Sequence, residues 1–381
     1  MKISVTKEAF IKNWSIAERN VATSGSMNIF STVYIRADME GAELQATDIR
    51  TSVKCKAGGV TVMEPGEAVI PIKGVSDLFK KAGSSEFSIM VDQGKAVMVS
   101  GKSRYKFTTY PVGDFPKLPS SGGAFFCSIQ ASKLVSAIER GTLCATTGDE
   151  YPQYLSCAYF EMDNGTLNVV STDKRRLAIC RTEVIEGSES EPMLLPMKGL
   201  KELVRILGMI DSGLEVKISS DDAQTFFVTE GIEFTVRKVE SKFPEYANKI
   251  PVSHDTSVEI DRSSLLSALE RVDVVVRDYN RVVTIKLSGD ECTLTGRARE
   301  FGEAVENIPC AIEGEPLFTG FNTRFFFDAV KALEDDTARL LFNGSKGTMV
   351  VKSKNSEDFL SLVAPVDTSD EDDEVDSAEP E

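Results

Sequence analysis

The sequence predicts an α+β chain built from three repeated units, each with two helices packed on antiparallel sheets. Two observations carry this. A short helical signature recurs at near-constant spacing: residues 15–19 read Ser-Ile-Ala-Glu-Arg, 136–140 Ser-Ala-Ile-Glu-Arg, and 267–271 Ser-Ala-Leu-Glu-Arg. Between the helices lie short β-branched runs, such as Ala96-Val-Met-Val99, Leu167-Asn-Val-Val170 and Thr284-Ile-Lys-Leu287, which read as strands.

The first two signatures sit in helix-period stretches with one apolar face: Phe10, Trp14, Ala17 and Val21, then Leu134, Ile138 and Ala145. A second repeat aligns Pro71-Ile-Lys-Gly-Val-Ser-Asp-Leu-Phe-Lys80 with Pro196-Met-Lys-Gly-Leu-Lys-Glu-Leu-Val-Arg205, with a weaker third copy at Arg324 to Lys331. In the first two, proline and glycine mark a passage from strand to helix. A third aligns Thr47-Asp-Ile-Arg50 with Thr172-Asp-Lys-Arg175, each followed at the same distance by a cysteine, Cys55 and Cys180. A fourth aligns Phe115-Pro116 with Phe243-Pro244. The repeats place domains at 1–122, 123–251 and 252–366, with helices over 7–20, 73–81, 133–140, 198–205, 262–277 and 324–334. Residues 367–381 form an acidic tail with nine carboxylates and no basic residue. Such a segment is expected to be disordered and to compete weakly with nucleic acid or partners at low salt.

Composition excludes several classes. One histidine, His254, in a linker-like stretch leaves no material for a histidine triad or a His-rich metal site. Seven cysteines are an odd number with no C-x-x-C spacing, so free buried thiols are expected rather than disulfides or zinc ligands. No P-loop, G-x-G-x-x-G after a strand, or G-x-S-x-G occurs. No cofactor, metal or catalytic residue is expected, and paired carboxylates such as Asp372 and Asp373 lie in the tail, where no scaffold fixes them. No apolar run reaches a membrane span and the N-terminus does not read as a signal peptide; a cytoplasmic location without membrane contact is expected.

The net charge is −16, yet the predicted helices carry sixteen Lys or Arg against nine Asp or Glu. Basic residues recur seven apart, about two turns: Lys12 with Arg19, Lys73 with Lys80, Lys133 with Arg140, Lys198 with Arg205, and Arg324 with Lys331; Ser264 and Arg271 stand in that relation on the remaining helix. Any one such pair reads as a solvated face. The same pattern on five helices of an acidic chain, with Lys201 and Arg271 added, points to a common polyanion met through its phosphates without base readout. A domain of this size behaves as a sphere of radius about 18 Å, and six in a ring enclose a hole about 35 Å across. Two chains head to tail would supply six domains.

The three repeats, Thr172-Asp-Lys-Arg-Arg-Leu-Ala-Ile-Cys180, Lys242-Phe-Pro-Glu-Tyr246 and Gly320-Phe-Asn322 together resemble the bacterial DNA sliding clamp family, the beta subunit of the replicative polymerase, over residues 1 to about 366. The resemblance implies three DNA-clamp domains in a head-to-tail homodimeric ring around double-stranded DNA, independent of sequence. It implies a clamp loader, the replicative polymerase and other clamp-motif proteins as partners. It also implies a hydrophobic peptide pocket at Leu155, Thr172, Arg175, Arg176, Leu177, Pro244, Leu362, Val363, Ala364, Pro365 and Val366. The chain departs from the family in having Lys174-Arg175 where Gly-His is common, Ala364 and Val366 where methionines flank the proline, and the acidic tail. Methionine adapts to irregular ligands better than alanine or valine, so a different peptide preference is expected. The alternative is a protein-only repeat scaffold, on which neutralising Lys12, Arg19, Lys198 and Arg205 would leave function intact.

Overall fold

A computed structural model describes residues 1–22, 28–148 and 150–367; the tail beyond Asp367 lies outside the described residues. Six α-helices occur among the described residues: α1 (Lys7–Arg19), α2 (Val75–Lys80), α3 (Ala131–Gly141), α4 (Met197–Leu207), α5 (Arg262–Val276) and α6 (Thr323–Lys331). Each predicted helix is present. The shift that matters is at α2, which begins at Val75, so Lys73 stands in the preceding turn and not on the helix face it was expected to share with Lys80.

By contacts the chain resolves into two compact units. One comprises Met1–Val135, Met162–Gly165 and Glu183–Val239; the other comprises Ser136–Glu161, Thr166–Thr182 and Glu240–Glu381. The division cuts the central repeat because sheets run from one repeat into the next. In the first unit, a nine-stranded sheet joins Thr51–Lys56 of the first repeat to Ile232–Arg237 of the second, with Val236 opposite Thr51 and Thr235 opposite Ser52. In the second unit, Arg176–Glu183 pairs with Phe359–Val363 of the third repeat, with Val363 opposite Arg176 and Leu362 opposite Leu177. The two junctions have the same register.

The helices form where the sequence supplies an apolar stripe. In α1, Phe10, Trp14, Ile16 and Ala17 are buried. Trp14 meets Phe79 of α2 with ring centroids 4.8 Å apart, and its indole N–H donates to Ser76 Oγ at 2.9 Å. Each such ring removed from water contributes roughly 2–3 kcal/mol. In the second unit α5 and α6 pack together. Asp261 caps α5 by accepting from Ser264 N at 2.7 Å, and Asn322 caps α6 by accepting from Arg324 N and Phe325 N.

The glycine shared by the second repeat serves two ends. Gly74 precedes α2 at φ +77° with open space where a Cβ would stand. Gly199, inside α4, would place a Cβ 2.7 Å from Val236 Cγ1, so its absence of a side chain lets α4 lie close against the Ile232–Arg237 strand. The Thr-Asp repeat is a turn built twice. Thr47 Oγ1 accepts from Ile49 N, and Asp48 Oδ1 from Arg50 N and Thr51 N. Thr172 Oγ1 accepts from Lys174 N, and Asp173 Oδ1 from Arg175 N and Arg176 N. Both turns force the third residue left-handed, Ile49 at φ +78° and Lys174 at +75°. The Phe-Pro repeat is also structural: Phe115 stacks on Tyr34 at 5.2 Å, and Phe243 on Tyr159 at 4.8 Å.

The cysteines are free, six buried and Cys310 half-buried. Burial pushes the thiols up, Cys55, Cys127 and Cys292 to about 12 and Cys157, Cys180 and Cys310 to about 11, so none is a ready nucleophile. Among the described residues no group of three or more His, Cys, Asp or Glu could hold a metal ion, and no helix is long and apolar enough to cross a membrane.

Candidate functional site

The helix cations divide by what they touch. Lys12 and Arg19 of α1, Lys73 before α2, Lys133 of α3, Lys201 of α4 and Lys331 of α6 are exposed. None has an ion-pair partner among the described residues. Lys80 pairs with Glu18 at 2.8 Å, Lys198 with Asp48 at 2.7 Å, Arg205 with Glu202, and Arg271 with both oxygens of Glu306 at 2.8 and 2.7 Å. Arg324 reaches Asp328 only at 3.9 Å. These paired cations remain exposed, and exposed pairs exchange cheaply for other anions. Burial works against the charge of Asp48, yet the bonds from Lys198 and from Thr51 outweigh it and hold its carboxyl below the usual range.

Arg140 departs from its expected role. Its side chain is only 11% exposed: Nη1 bonds Asp358 at 2.7 Å and Glu334 at 3.0 Å, and Nε donates to the Ala332 carbonyl at 2.9 Å. The guanidinium lies 5.1 Å from the Phe359 ring centroid. It ties the end of α3 to the α6 end and to the last strand, and is not available to an external phosphate.

A pocket of about 340 Å³ opens in the second unit. Thr172, Arg175, Arg176, Leu177, Pro244, Leu362 and Ala364 line it, as the sequence expected. Leu177 and Leu362 face each other across paired strands and supply its apolar floor. The remaining four are not among its lining. Leu155 is buried beside it, and Val363, fully buried, points to the opposite side of its strand. The backbone N–H of Val366 donates to the Gly320 carbonyl at 2.8 Å, which ties the Pro365–Val366 segment toward the Leu317–Asn322 strand.

Tyr154, Lys174, Tyr246, Lys249 and Thr348 complete the wall and were not anticipated. Lys174 and Tyr246 lie inside motifs quoted above, and Tyr154 adjoins Leu155; Lys249 and Thr348 carry no local signal. Arg176 supports the wall rather than offering its charge. Its Nε bonds Asp173 at 2.9 Å, Nη1 bonds Asp328 at 3.0 Å, and its plane lies 4.2 Å from the Phe325 centroid. The Tyr246 hydroxyl donates to Glu161, and burial with that carboxylate raises its pKa. Exposed Lys174, Arg175 and Lys249 rim the opening without ion-pair partners among the described residues. The pocket thus offers an apolar floor, polar walls and a cationic rim, suited to anchoring an aliphatic or aromatic side chain of a short peptide.

Comparison with known proteins finds the same domain order. Family models match residues 1–119 (DNA polymerase III beta subunit, N-terminal domain), 128–245 (central domain) and 248–367 (C-terminal domain). The beta sliding clamp of Pseudomonas putida is 26% identical over 96% of this chain and all of its own length. The solved DNA polymerase III subunit beta of Pseudomonas aeruginosa is 26% identical, covers 96% of this chain and 100% of its own, and superposes with a TM-score of 0.90. A further Pseudomonas aeruginosa clamp structure, bound to griselimycin, is 26% identical, covers 96% of this chain and 99% of its own, and has a TM-score of 0.90.

Proposed function

The chain belongs to the DNA polymerase III beta subunit family and serves DNA replication as a polymerase processivity clamp, and we propose that it does so as a closed head-to-tail ring of two copies. On this reading its clamp domains run 1–122, 123–251 and 252–366, and the ring acts without catalysis in the cytoplasm. The observation that carries the reading is the distribution of charge: every helix bears exposed Lys or Arg although the chain as a whole is −16. Contacts of that kind bind phosphates without reading bases and permit sliding. A ring stays on DNA by remaining closed, so the contacts need only be weak, and the acidic remainder of the surface repels DNA.

The DNA-facing set is Lys12, Arg19, Lys73, Lys80, Lys133, Lys198, Lys201, Arg205, Arg271, Arg324 and Lys331. The pocket at Leu177, Pro244 and Leu362 holds short peptide motifs of the polymerase, the clamp loader and other clamp-binding proteins, and a relative bound to griselimycin accords with a ligand site on this fold. A protein-only scaffold is not favoured, since it leaves both the family and the helix charges without a role.

Retention on DNA tests the ring. The protein is loaded by a compatible clamp loader onto nicked circular plasmid, and half the sample is linearised. Retention on circles at high salt with loss from linear ends is expected; equal retention on both, with the loader active on a control clamp, overturns the ring.

A further inference from the structure

We propose that the first unit carries a second, repeat-related docking pocket, and that its occupant is a short acidic peptide of a partner protein. The pocket, about 240 Å³, is lined on one side by Thr47, Ile49, Arg50, Thr51 and Ser52 and closed by Pro116, Thr235 and Arg237. Each stands where the repeat places a wall residue of the pocket described above. Thr47 to Ser52 correspond to Thr172 to Leu177, and Pro116 corresponds to Pro244. Strand register completes the match. Thr235 is opposite Ser52 as Leu362 is opposite Leu177, so Arg237 stands where Ala364 stands.

The supporting geometry is also duplicated. The same threonine and aspartate close the same turn, and a phenylalanine before the proline stacks on a strand tyrosine in both units. The chain therefore builds this concavity twice by one construction, and the copies differ in what they can hold. Five aligned wall positions differ: Ser52 for Leu177, Thr235 for Leu362, Arg237 for Ala364, Ile49 for Lys174 and Thr51 for Arg176. The two facing leucines of the floor give way to hydroxyl residues and Arg237 enters the wall, while the cations of Lys174 and Arg176 have no counterpart and Phe30, Leu118 and Pro119 keep part of the lining apolar. Arg50, Lys117 and Arg237 are exposed, none has an ion-pair partner among the described residues, and no carboxylate lines the pocket. Charge complementarity therefore selects an anionic occupant. Ile49 sits at the mouth, 62% exposed and held at φ +78°, a costly backbone state for a β-branched residue; with Phe30, Leu118 and Pro119 of the lining it offers apolar contact beside the cations. The peptide class rests on the proposed function of the first pocket; the anionic preference rests on this pocket alone.

The probe is a fluorescein-labelled hexapeptide, Asp-Ser-Asp-Ser-Gly-Asp, which has no apolar anchor for the first pocket, with an Asn-for-Asp version as control, measured by anisotropy on the full chain. Binding of the acidic peptide should fall about three- to ten-fold with R50A or R237A, as for loss of one exposed charge-assisted contact. It should be unchanged by R175A in the first pocket, and the neutral peptide should not compete. All three positions are exposed, so the variants should keep the circular dichroism of the parent. No binding of the acidic peptide to the parent chain, equal binding by the R50A and R237A variants, or loss with R175A instead, overturns the proposal. So does competition by a phosphorylated oligothymidylate at lower concentration than the unlabelled peptide, which marks a phosphate site. So does a several-fold gain on truncation after Val366, which makes the chain's own tail the occupant. DNA retention is read separately, so failure here and failure of the ring are distinguishable.

Discussion

Replacing Arg140 by methionine separates a structural cation from the DNA-facing ones. The change keeps much of the side chain's volume and removes four interactions. The bond to Glu334 contributes little, because that carboxylate is 65% exposed. The bonds to Asp358 and to the Ala332 carbonyl matter more: the arginine side chain is 11% exposed and Asp358 30%. Charge-assisted bonds of this kind contribute about 1.5–3 kcal/mol each. Ser356 still donates to Asp358 in the variant, which lowers the cost. Some attraction between the guanidinium and the Phe359 ring, about 0.5–1 kcal/mol, is also lost. With each bond taken at the low end because Asp358 is partly exposed, the net loss is about 3–4 kcal/mol. With a urea m-value of about 3 kcal/mol/M, the unfolding midpoint falls by about 1–1.3 M. Fluorescence-detected urea unfolding reads this directly, and the salt dependence of DNA affinity supplies the contrast. R140M should leave the slope of log K against log salt unchanged, whereas K133A on the same helix should reduce it by about 0.9 if Lys133 meets a phosphate. An unchanged midpoint together with a reduced slope for R140M would refute the assignment.

Three further outcomes follow from the local geometry. Lys174→Gly relieves a left-handed residue and should stabilise the chain by about 0.5–1 kcal/mol in thermal unfolding, the relief exceeding the added chain entropy; destabilisation would mean that the lysine side chain contributes more than the strain costs. Gly199→Ala should destabilise by about 1–3 kcal/mol because its Cβ meets Val236 at 2.7 Å, while Gly74→Asn, in open space and tolerant of positive φ, should cost under about 1 kcal/mol; equal costs would contradict the two roles given to one repeated glycine. Asp48→Asn should lose about 1 kcal/mol at neutral pH, where the carboxylate accepts from Lys198 and Thr51. Its folded pKa lies below the ordinary value, so this stability is present above about pH 4 and disappears as pH falls through the folded pKa. The gap between parent and variant should therefore close in acid, and a gap that widened there would reverse the sign of the coupling.

What the sequence made legible was what the repeats encode locally. The helix stripes, the Thr-Asp turn and the Pro-Gly approach to α2 and α4 depend on residues within a few positions of each other, and all three recur visibly. What stayed hidden depends on partners far along the chain. Arg140 has the same spacing from Lys133 as Lys80 has from Lys73, and nothing local distinguishes it; its partner Asp358 is 218 residues away. Lys249 and Thr348 enter the pocket wall only because strands from separate repeats pair in one register. The same register converts a sequence repeat into a spatial one. Once Thr235 is seen opposite Ser52, the alignment of Thr47-Asp-Ile-Arg50 with Thr172-Asp-Lys-Arg175 becomes an alignment of two pockets. The substitutions between them then acquire chemical meaning: leucine at 177 and 362 makes a floor for an apolar anchor, and serine and threonine in the matching places, with Arg237 for Ala364, leave a wall that can meet a carboxylate.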